Sequence, residues 1–244
     1  MLENLAHQDW IALVLGNSRS HYAHFYRDQL QRTWHTPWLS PQQSLERIPL
    51  LAKTPIYIAS VVPEQTLLWQ DQLSAHLVTL SDIPLKNLYS SLGIDRALAL
   101  LGLLGNYGKS GLVIDAGTAI TLTGINQKSE IIGGAILPGL RLQFDSLNSK
   151  TASLPLVELP DNLPPIWANN TTQAIQSGIV HSTIGGLKGF IEQWNQQFPA
   201  SSILITGGDG YYLYQYLNKN ITTSIIYEEN LVFLGFRDLF FGRE

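Results

Sequence analysis

Short apolar runs alternate along the chain with polar, glycine-containing turns and with segments of helical periodicity. Trp10 to Leu15 is a continuous apolar run, typical of a strand that is buried on both faces, and Ile56 to Val62 is a second apolar strand pattern interrupted only by Ser60. Ser20 to Tyr26 has the pattern of a strand returning after a turn, whereas Ser40-Pro41 and Pro63-Glu64 are typical helix starts. This alternation predicts a mixed α/β lobe in the first part of the chain.

The second part of the chain repeats this opening. An apolar strand, a polar glycine turn and a second strand follow one another again from Gly111 onward. We therefore predict two lobes, residues 1–108 and 109–244. The predicted elements of the second lobe are strands at Leu112 to Ile114, Ile120 to Ile125, Ile131 to Leu137 and Ser202 to Thr206, a long helix ending near Phe198, and a closing amphipathic helix from Asn230 to Phe241.

The amino-acid composition mainly excludes certain partners and a membrane-spanning segment. The 244 residues are 45% hydrophobic and 14% charged, which suffices for one large core or two smaller ones. The net charge is −4 and no long basic run is present, so we expect no nucleic-acid partner. The longest apolar run, Ala97 to Leu104, is too short to span a membrane. Met1 to Trp10 lack the pattern of a signal peptide, and we expect a cytoplasmic protein.

The turn after the strand at Leu112 to Ile114 has residues suited to phosphate chemistry. Asp115 stands at the strand end, where a buried charge needs a partner, and a hydrated Mg²⁺ would be suitable. Gly117 allows backbone N–H groups to approach an anion, and Thr118 adds a hydroxyl donor. An ordinary hairpin whose polar side chains satisfy the turn explains the same residues. These residues alone leave both interpretations open.

Three other short segments are each compatible with a ligand-binding role or with a purely structural one. The turn Gly16-Asn17-Ser18 is suited to a second phosphate or to a plain hairpin. Gly207 and Gly208 lie at a strand-to-helix junction that can admit a nucleotide, or that is simply a tight turn. Asp95 stabilises the start of an apolar helix, or it acts as a base next to the cationic Arg96.

Taken together, these blocks resemble a known family. Their order along the chain is similar to that of the actin-like ATPase superfamily, and more closely to that of the type III pantothenate kinases. The resemblance implies two similar actin-like (ribonuclease H-like) lobes with mixed sheets flanked by helices and a cleft between them. The matching blocks are LGNS at Leu15–Ser18, LGIDR at Leu92–Arg96, DAGTAIT at Asp115–Thr121, GGAILPGL at Gly133–Leu140, TTQAIQSGI at Thr171–Ile179 and TGGD at Thr206–Asp209.

The resemblance also implies a reaction and its partners. The reaction is the ATP-dependent phosphorylation of pantothenate to 4′-phosphopantothenate, the first step of coenzyme A biosynthesis, with Mg²⁺ and a monovalent cation (K⁺ or NH₄⁺). The family forms homodimers, and Thr171 matches a threonine that reaches the partner's pantothenate. The implied roles are Asp95 as general base, Gly93 and Arg96 as pantothenate-binding residues, Asp115 as the metal-linked carboxylate, and Gly16, Asn17, Ser18, Gly117, Thr118, Gly207 and Gly208 as nucleotide-binding residues.

Some positions depart from the family pattern. Val14 replaces an aspartate, and His21 replaces a lysine, both on the ATP side. Lys86, Leu88 and Tyr89 stand where a tyrosine and an Asn-Pro pair are usual. An alternative function is therefore a non-catalytic, ligand-binding or regulatory protein of the same actin-like fold. A polyphosphate- or sugar-phosphotransferase is a third possibility, which the LGIDR and Thr171 blocks do not support.

Overall fold

The computed structural model describes residues 8–70, 75–220 and 223–242, which form two compact units. One unit takes in the described part of residues 1–107 and 230–244, and the other takes in residues 108–229. The sequence predicts the same break near residue 108. The structure differs in the last segment, because the closing helix belongs to the first unit rather than to the second.

The first unit contains a five-stranded mixed sheet in the order β3-β2-β1-β4-β5. Strands β1 to β3 are antiparallel, and β4 and β5 run parallel to β1. The strands are β1 (Asp9–Leu15), β2 (Ser20–Tyr26), β3 (Gln29–Thr36), β4 (Ile56–Ser60) and β5 (Ala75–Leu77). The helices are α1 (Pro41–Arg47), α2 (Pro63–Gln70), α3 (Ile94–Asn106) and α7 (Leu231–Phe241), with short 3₁₀ helices at Pro49–Ala52 and Leu80–Asp82.

Two glycines explain why α7 packs in the first unit. A Cβ at Gly102 of α3 would meet the Leu231 carbonyl oxygen, and a Cβ at Gly235 of α7 would meet that of Leu98. The two helix backbones therefore approach closely, and nine residues of α3 are buried. The apolar α7 completes the packing around α3, the helix that carries Asp95 at its start.

The second unit contains a sheet of the order β10-β9-β6-β7-β8. Its strands are β6 (Gly111–Ala116), β7 (Ala119–Ile125), β8 (Ile131–Pro138), β9 (Ser202–Thr206) and β10 (Ile226–Tyr227). Its helices are α4 (Leu140–Lys150), α5 (Thr171–Gln197) and α6 (Gly210–Asn220). The core contains the inward residues of β6, β7 and β9 and the buried side of α5.

The two sheets share one topology. Read from the antiparallel edge, β3-β2-β1-β4-β5 corresponds strand by strand to β8-β7-β6-β9-β10, with the same parallel and antiparallel neighbours. The prediction of two similar lobes, each with a mixed sheet flanked by helices, is confirmed. Each polar glycine turn joins the central strand to its antiparallel neighbour. In the part of the chain that the structure describes, no helix is both long and apolar enough to cross a bilayer.

Candidate active site

The first glycine turn joins β1 to β2 in the first unit. The Gly16 N–H donates to the Arg19 carbonyl at 3.1 Å, and the Gly16 carbonyl accepts the indole N–H of Trp38 at 2.9 Å. The side chains of Asn17 and Ser18 are exposed. Both polar groups of Gly16 are therefore used within the protein, which fixes the turn and presents its outer residues to solvent. The hydrogen bond from Trp38 joins residues that are 22 positions apart in the chain, so no local sequence pattern predicts it.

The two departures from the family pattern in the first hairpin, Val14 and His21, are neighbours in space. Val14 pairs with His21 across the hairpin, and His21 pairs with His35 on β3. The two imidazole centroids are 5.9 Å apart. Burial lowers the pKa of His21, and repulsion by His35 and Arg19 lowers it further. An apolar side chain and an uncharged imidazole thus occupy these two paired positions near neutral pH.

Asp95 and Arg96 lie in the first turn of α3, with Gly93 as the N-cap. The Arg96 backbone N–H donates to Asp95 Oδ1 at 2.8 Å, and the side chain of Arg96 is buried. Burial raises the pKa of the Asp95 carboxyl, while this hydrogen bond and the Arg96 charge act in the opposite direction. A Cβ at Gly93 would meet Asp95 Oδ1 and would lie 3.7 Å from Val61 Cγ1. The Asp95 carboxylate therefore accepts a backbone hydrogen bond within the first turn of α3, and burial raises its pKa.

The second glycine turn joins β6 to β7 in the second unit, and the start of α4 packs against it. The Gly117 N–H donates to the Ala119 carbonyl, and the Gly139 N–H donates to the Thr118 carbonyl, both at 3.0 Å. A Cβ at Gly139 would meet the carbonyl oxygens of Gly117 and Thr118. This contact requires glycine at position 139, which the sequence identified only as a helix opening.

The loop of Gly207 and Gly208 lies against the same turn. Gly207 has a φ of +92°, and a Cβ there would meet Asp115 Oδ1 and the Ala116 carbonyl. The Asp209 N–H donates to the Ala116 carbonyl at 2.9 Å. The structure therefore brings together five predicted residues of the second unit: Asp115, Gly117, Thr118, Gly207 and Gly208.

Glycines in this cluster fall into two groups. Gly139 and Gly207 are needed by the fold, because a side chain would collide with backbone. Within the part of the chain that the structure describes, a Cβ at Gly117 would make only ordinary contacts and a Cβ at Gly208 would make none within 4 Å. Open space at a glycine lets an anion approach the backbone closely, so Gly117 and Gly208 are the positions of this cluster where a phosphate could lie.

An ion pair that the sequence analysis missed borders this turn. Arg141 Nε lies 3.3 Å from Asp209 Oδ1, joining the start of α4 to the start of α6. Asp209 is 7% exposed, whereas the Arg141 side chain is 71% exposed. Burial raises the pKa of the Asp209 carboxyl, and Arg141 opposes this shift. The pair joins segments that are distant in sequence, so local patterns give no signal for it.

Thr171 is the first residue of α5 and is exposed. It lines an apolar groove of about 400 Å³ in the second unit. Preceding it, Asn170 caps the helix by accepting from the Gln173 N–H at 3.0 Å. The other residues that line the groove are Leu147, Leu154, Ala174, Ile175, Gly178 and Ile179.

The described residues include no cluster of three or more His, Cys, Asp or Glu side chains that could hold a metal ion. Asp115 is a carboxylate next to the second glycine turn. Such a site fits Mg²⁺, which keeps several waters and takes one or two carboxylates together with substrate phosphates.

Comparison with known proteins shows which family the chain is similar to. A family model described as type III pantothenate kinase matches residues 10–193. The type III pantothenate kinase of Nostoc sp. is 41% identical over 262 residues, covering 96% of this chain and 95% of that protein. The one from Synechocystis sp. is 42% identical over 244 residues, covering 99% and 94%.

Solved structures show the same fold at low sequence identity. The activator of 2-hydroxyisocaproyl-CoA dehydratase from Clostridium difficile, with bound ADPNP, has a TM-score of 0.55 at 10% identity, over 93% of this chain and 92% of that chain. The inorganic polyphosphate/ATP-glucomannokinase from Arthrobacter sp. has a TM-score of 0.50 at 13% identity, over 96% and 98%.

Proposed function

The chain belongs to the type III pantothenate kinase family, and we propose that it transfers the γ-phosphoryl group of ATP to the primary hydroxyl of pantothenate, forming 4′-phosphopantothenate. This is the first step of coenzyme A biosynthesis. The observation that carries the proposal is the carboxylate of Asp95, kept at the start of α3 beside the buried Arg96. Burial raises the pKa of this carboxyl, and perturbed carboxyl groups of this kind are typical of general bases.

In this proposal, residues of the first unit bind pantothenate and deprotonate its primary hydroxyl. Asp95 accepts the proton of the primary hydroxyl as the phosphoryl group is transferred. The guanidinium of Arg96 pairs with the pantothenate carboxylate, a charge-assisted contact that orients the substrate. Gly93 contributes by having no side chain, because a Cβ there would displace the Asp95 carboxylate.

The glycine turns handle ATP. Thr118 of the second turn and Asn17 and Ser18 of the first donate to phosphate oxygens. Gly16 and Gly117, whose N–H groups already donate within their turns, contribute by having no side chain, so that a phosphate can approach the backbone closely. Gly208 leaves space for the nucleotide, Gly207 forms the tight turn that places Gly208 beside Asp115, and the Asp115 carboxylate would hold Mg²⁺. When bound, Mg²⁺ neutralises charge on the phosphates. K⁺ or NH₄⁺ as an additional cation follows from the family resemblance and stays a prediction, as do a cytoplasmic location and the absence of a nucleic-acid partner.

We further propose that the enzyme is a homodimer that pairs through α5. One face of this helix is exposed and consists of small residues, which would let a second helix approach closely. In addition, a Cβ at Gly178, Gly185 or Gly189 would meet no atom of the described residues within 4 Å. The residues of this α5 face are Thr171, Ala174, Gly178, Ser182, Gly185 and Gly189.

Light scattering tests the homodimer. Gly185→Glu favours the helix itself, since glutamate is a better helix former than glycine, but places a charged side chain on the α5 face. We expect a dimer for the wild type and a folded monomer for the variant. A monomeric wild type, or a variant that still forms the dimer, would contradict pairing through this face.

The kinase itself is tested by product formation. Purified protein is incubated with pantothenate, ATP, Mg²⁺ and K⁺, and 4′-phosphopantothenate is measured by mass, with Asp95→Asn as the control. Product from the wild type alone supports the kinase. If the wild type binds pantothenate by calorimetry but forms no product, the less favoured alternative of a non-catalytic binding protein replaces it.

A further inference from the structure

We infer that Arg141 is a further phosphate-binding residue, whose guanidinium is held by Asp209 and donates its outer N–H groups to a nucleotide phosphate at the second glycine turn. The inference rests on the proposed function, because it requires that this turn bind the phosphates of ATP. It adds a cationic side chain to a site otherwise built from backbone, one carboxylate and a hydroxyl.

Backbone contacts fix both members of the ion pair next to the turn. Arg141 is the second residue of α4, and the N-cap of that helix, Gly139, donates to the Thr118 carbonyl. Asp209 is fixed from the other side by its own N–H, which donates to the Ala116 carbonyl at 2.9 Å. The guanidinium is therefore anchored next to the turn through two independent connections.

The geometry of the pair leaves most of the guanidinium unused. The contact to Asp209 is made by Nε, at 3.3 Å, and is not the two-pronged contact by which arginine best neutralises a carboxylate. Within the described part of the chain, the Nη groups make no hydrogen bond to protein, and the side chain is 71% exposed. A planar fork of N–H donors that is oriented by one carboxylate matches the geometry of a phosphate.

Stability alone does not explain the pair. An ion pair with one strongly exposed member contributes little to folding, because solvent screens it. Asp209 is nevertheless buried, so its carboxylate gains from a cation nearby. If Arg141 served only to neutralise Asp209, removing the Asp209 charge would therefore make Arg141 dispensable.

Calorimetry with the full chain separates the two roles. The probes are the Mg²⁺ complex of AMPPNP, a non-hydrolysable ATP analogue, and adenosine, which lacks phosphates. We expect Arg141→Gln to weaken the binding of Mg-AMPPNP by about tenfold to a hundredfold, because one hydrogen bond to a charged group is lost. The binding of adenosine should be unchanged. Lys150→Gln, at the exposed far end of the same helix, is the matched control for charge and should change neither affinity.

The double variant Arg141→Gln/Asp209→Asn decides between phosphate binding and neutralisation of Asp209. We expect it to bind Mg-AMPPNP as weakly as Arg141→Gln does. Recovery of wild-type affinity would overturn the inference, as would unchanged Mg-AMPPNP binding by Arg141→Gln or an equal loss of adenosine binding.

Failure of the proposed function has a different signature. A wild type that binds Mg-AMPPNP but forms no 4′-phosphopantothenate would overturn the kinase and leave the role of Arg141 to the binding data. A wild type that does not bind Mg-AMPPNP would overturn both.

Discussion

Gly93→Ala tests the proposed base through a residue that does not itself react. Gly93 has φ −63° and ψ 135°, a conformation that alanine adopts without strain. Among the residues that the structure describes, the added Cβ would come closer than 3 Å only to the Asp95 side chain, at Oδ1. The backbone can therefore stay in place while the Asp95 carboxylate has to rotate away from its position beside the Arg96 N–H.

The expected effect on folding is small and the effect on turnover is large. Alanine is a poorer N-cap than glycine by about 0.5–1 kcal/mol, but it restricts the unfolded chain by about 0.4–1 kcal/mol in compensation. Losing the 2.8 Å hydrogen bond from Arg96 to Asp95 costs about 1 kcal/mol, so the melting temperature should fall by less than about 4 °C. A base misplaced by about 1 Å loses about 100-fold in kcat.

Two measurements check this prediction: kcat for 4′-phosphopantothenate formation and the melting temperature. Gly186→Ala is the matched control, since a Cβ at that exposed helix position of α5 meets nothing within 4 Å. It should keep wild-type kcat and gain about 0.5–1 kcal/mol of stability. Full kcat in a folded Gly93→Ala variant would refute the argument that the position of the Asp95 carboxylate sets the rate.

Three further substitutions test individual contacts. Asp95→Asn should abolish turnover and raise the melting temperature near neutral pH. Burial raises the Asp95 carboxyl pKa, so the buried charge lowers the free energy of unfolding above that pKa, and this loss disappears as pH falls through it. Melting curves of both proteins against pH check this, and a variant less stable at every pH would contradict it. Val14→Asp places a carboxylate opposite His21, so it should raise the His21 pKa and tighten Mg-ATP binding. NMR titration of the imidazole measures the first effect, and the KM for ATP measures the second. An unchanged KM for ATP would show that these paired positions do not affect nucleotide binding. Trp38→Phe removes the hydrogen bond to the Gly16 carbonyl and should raise the KM for ATP about fivefold without changing that for pantothenate; equal KM values for ATP would exclude a role of Trp38 in positioning the turn.

Much of the fold could be predicted because burial periodicity is a local property. The apolar run from Trp10 to Leu15 gave β1, and the repeat of strand, glycine turn and strand after Gly111 gave the second sheet. Strand β3 (Gln29–Thr36) was not predicted, because most of its residues are exposed at the sheet edge and carry no apolar pattern. Strand β5 (Ala75–Leu77) is likewise a short edge strand with no buried residue.

The sequence by itself determined the residue types of the site and their order: the glycine turns, Asp95 with Arg96, and Asp115 at a strand end. Only the tertiary structure decided which of them share a surface. It placed Gly207 against Asp115, paired Val14 with His21, joined Arg141 to Asp209 and packed α7 on α3. Local patterns encode which face of an element is buried, whereas strand register and the close approach of backbones depend on pairings between residues far apart in the chain.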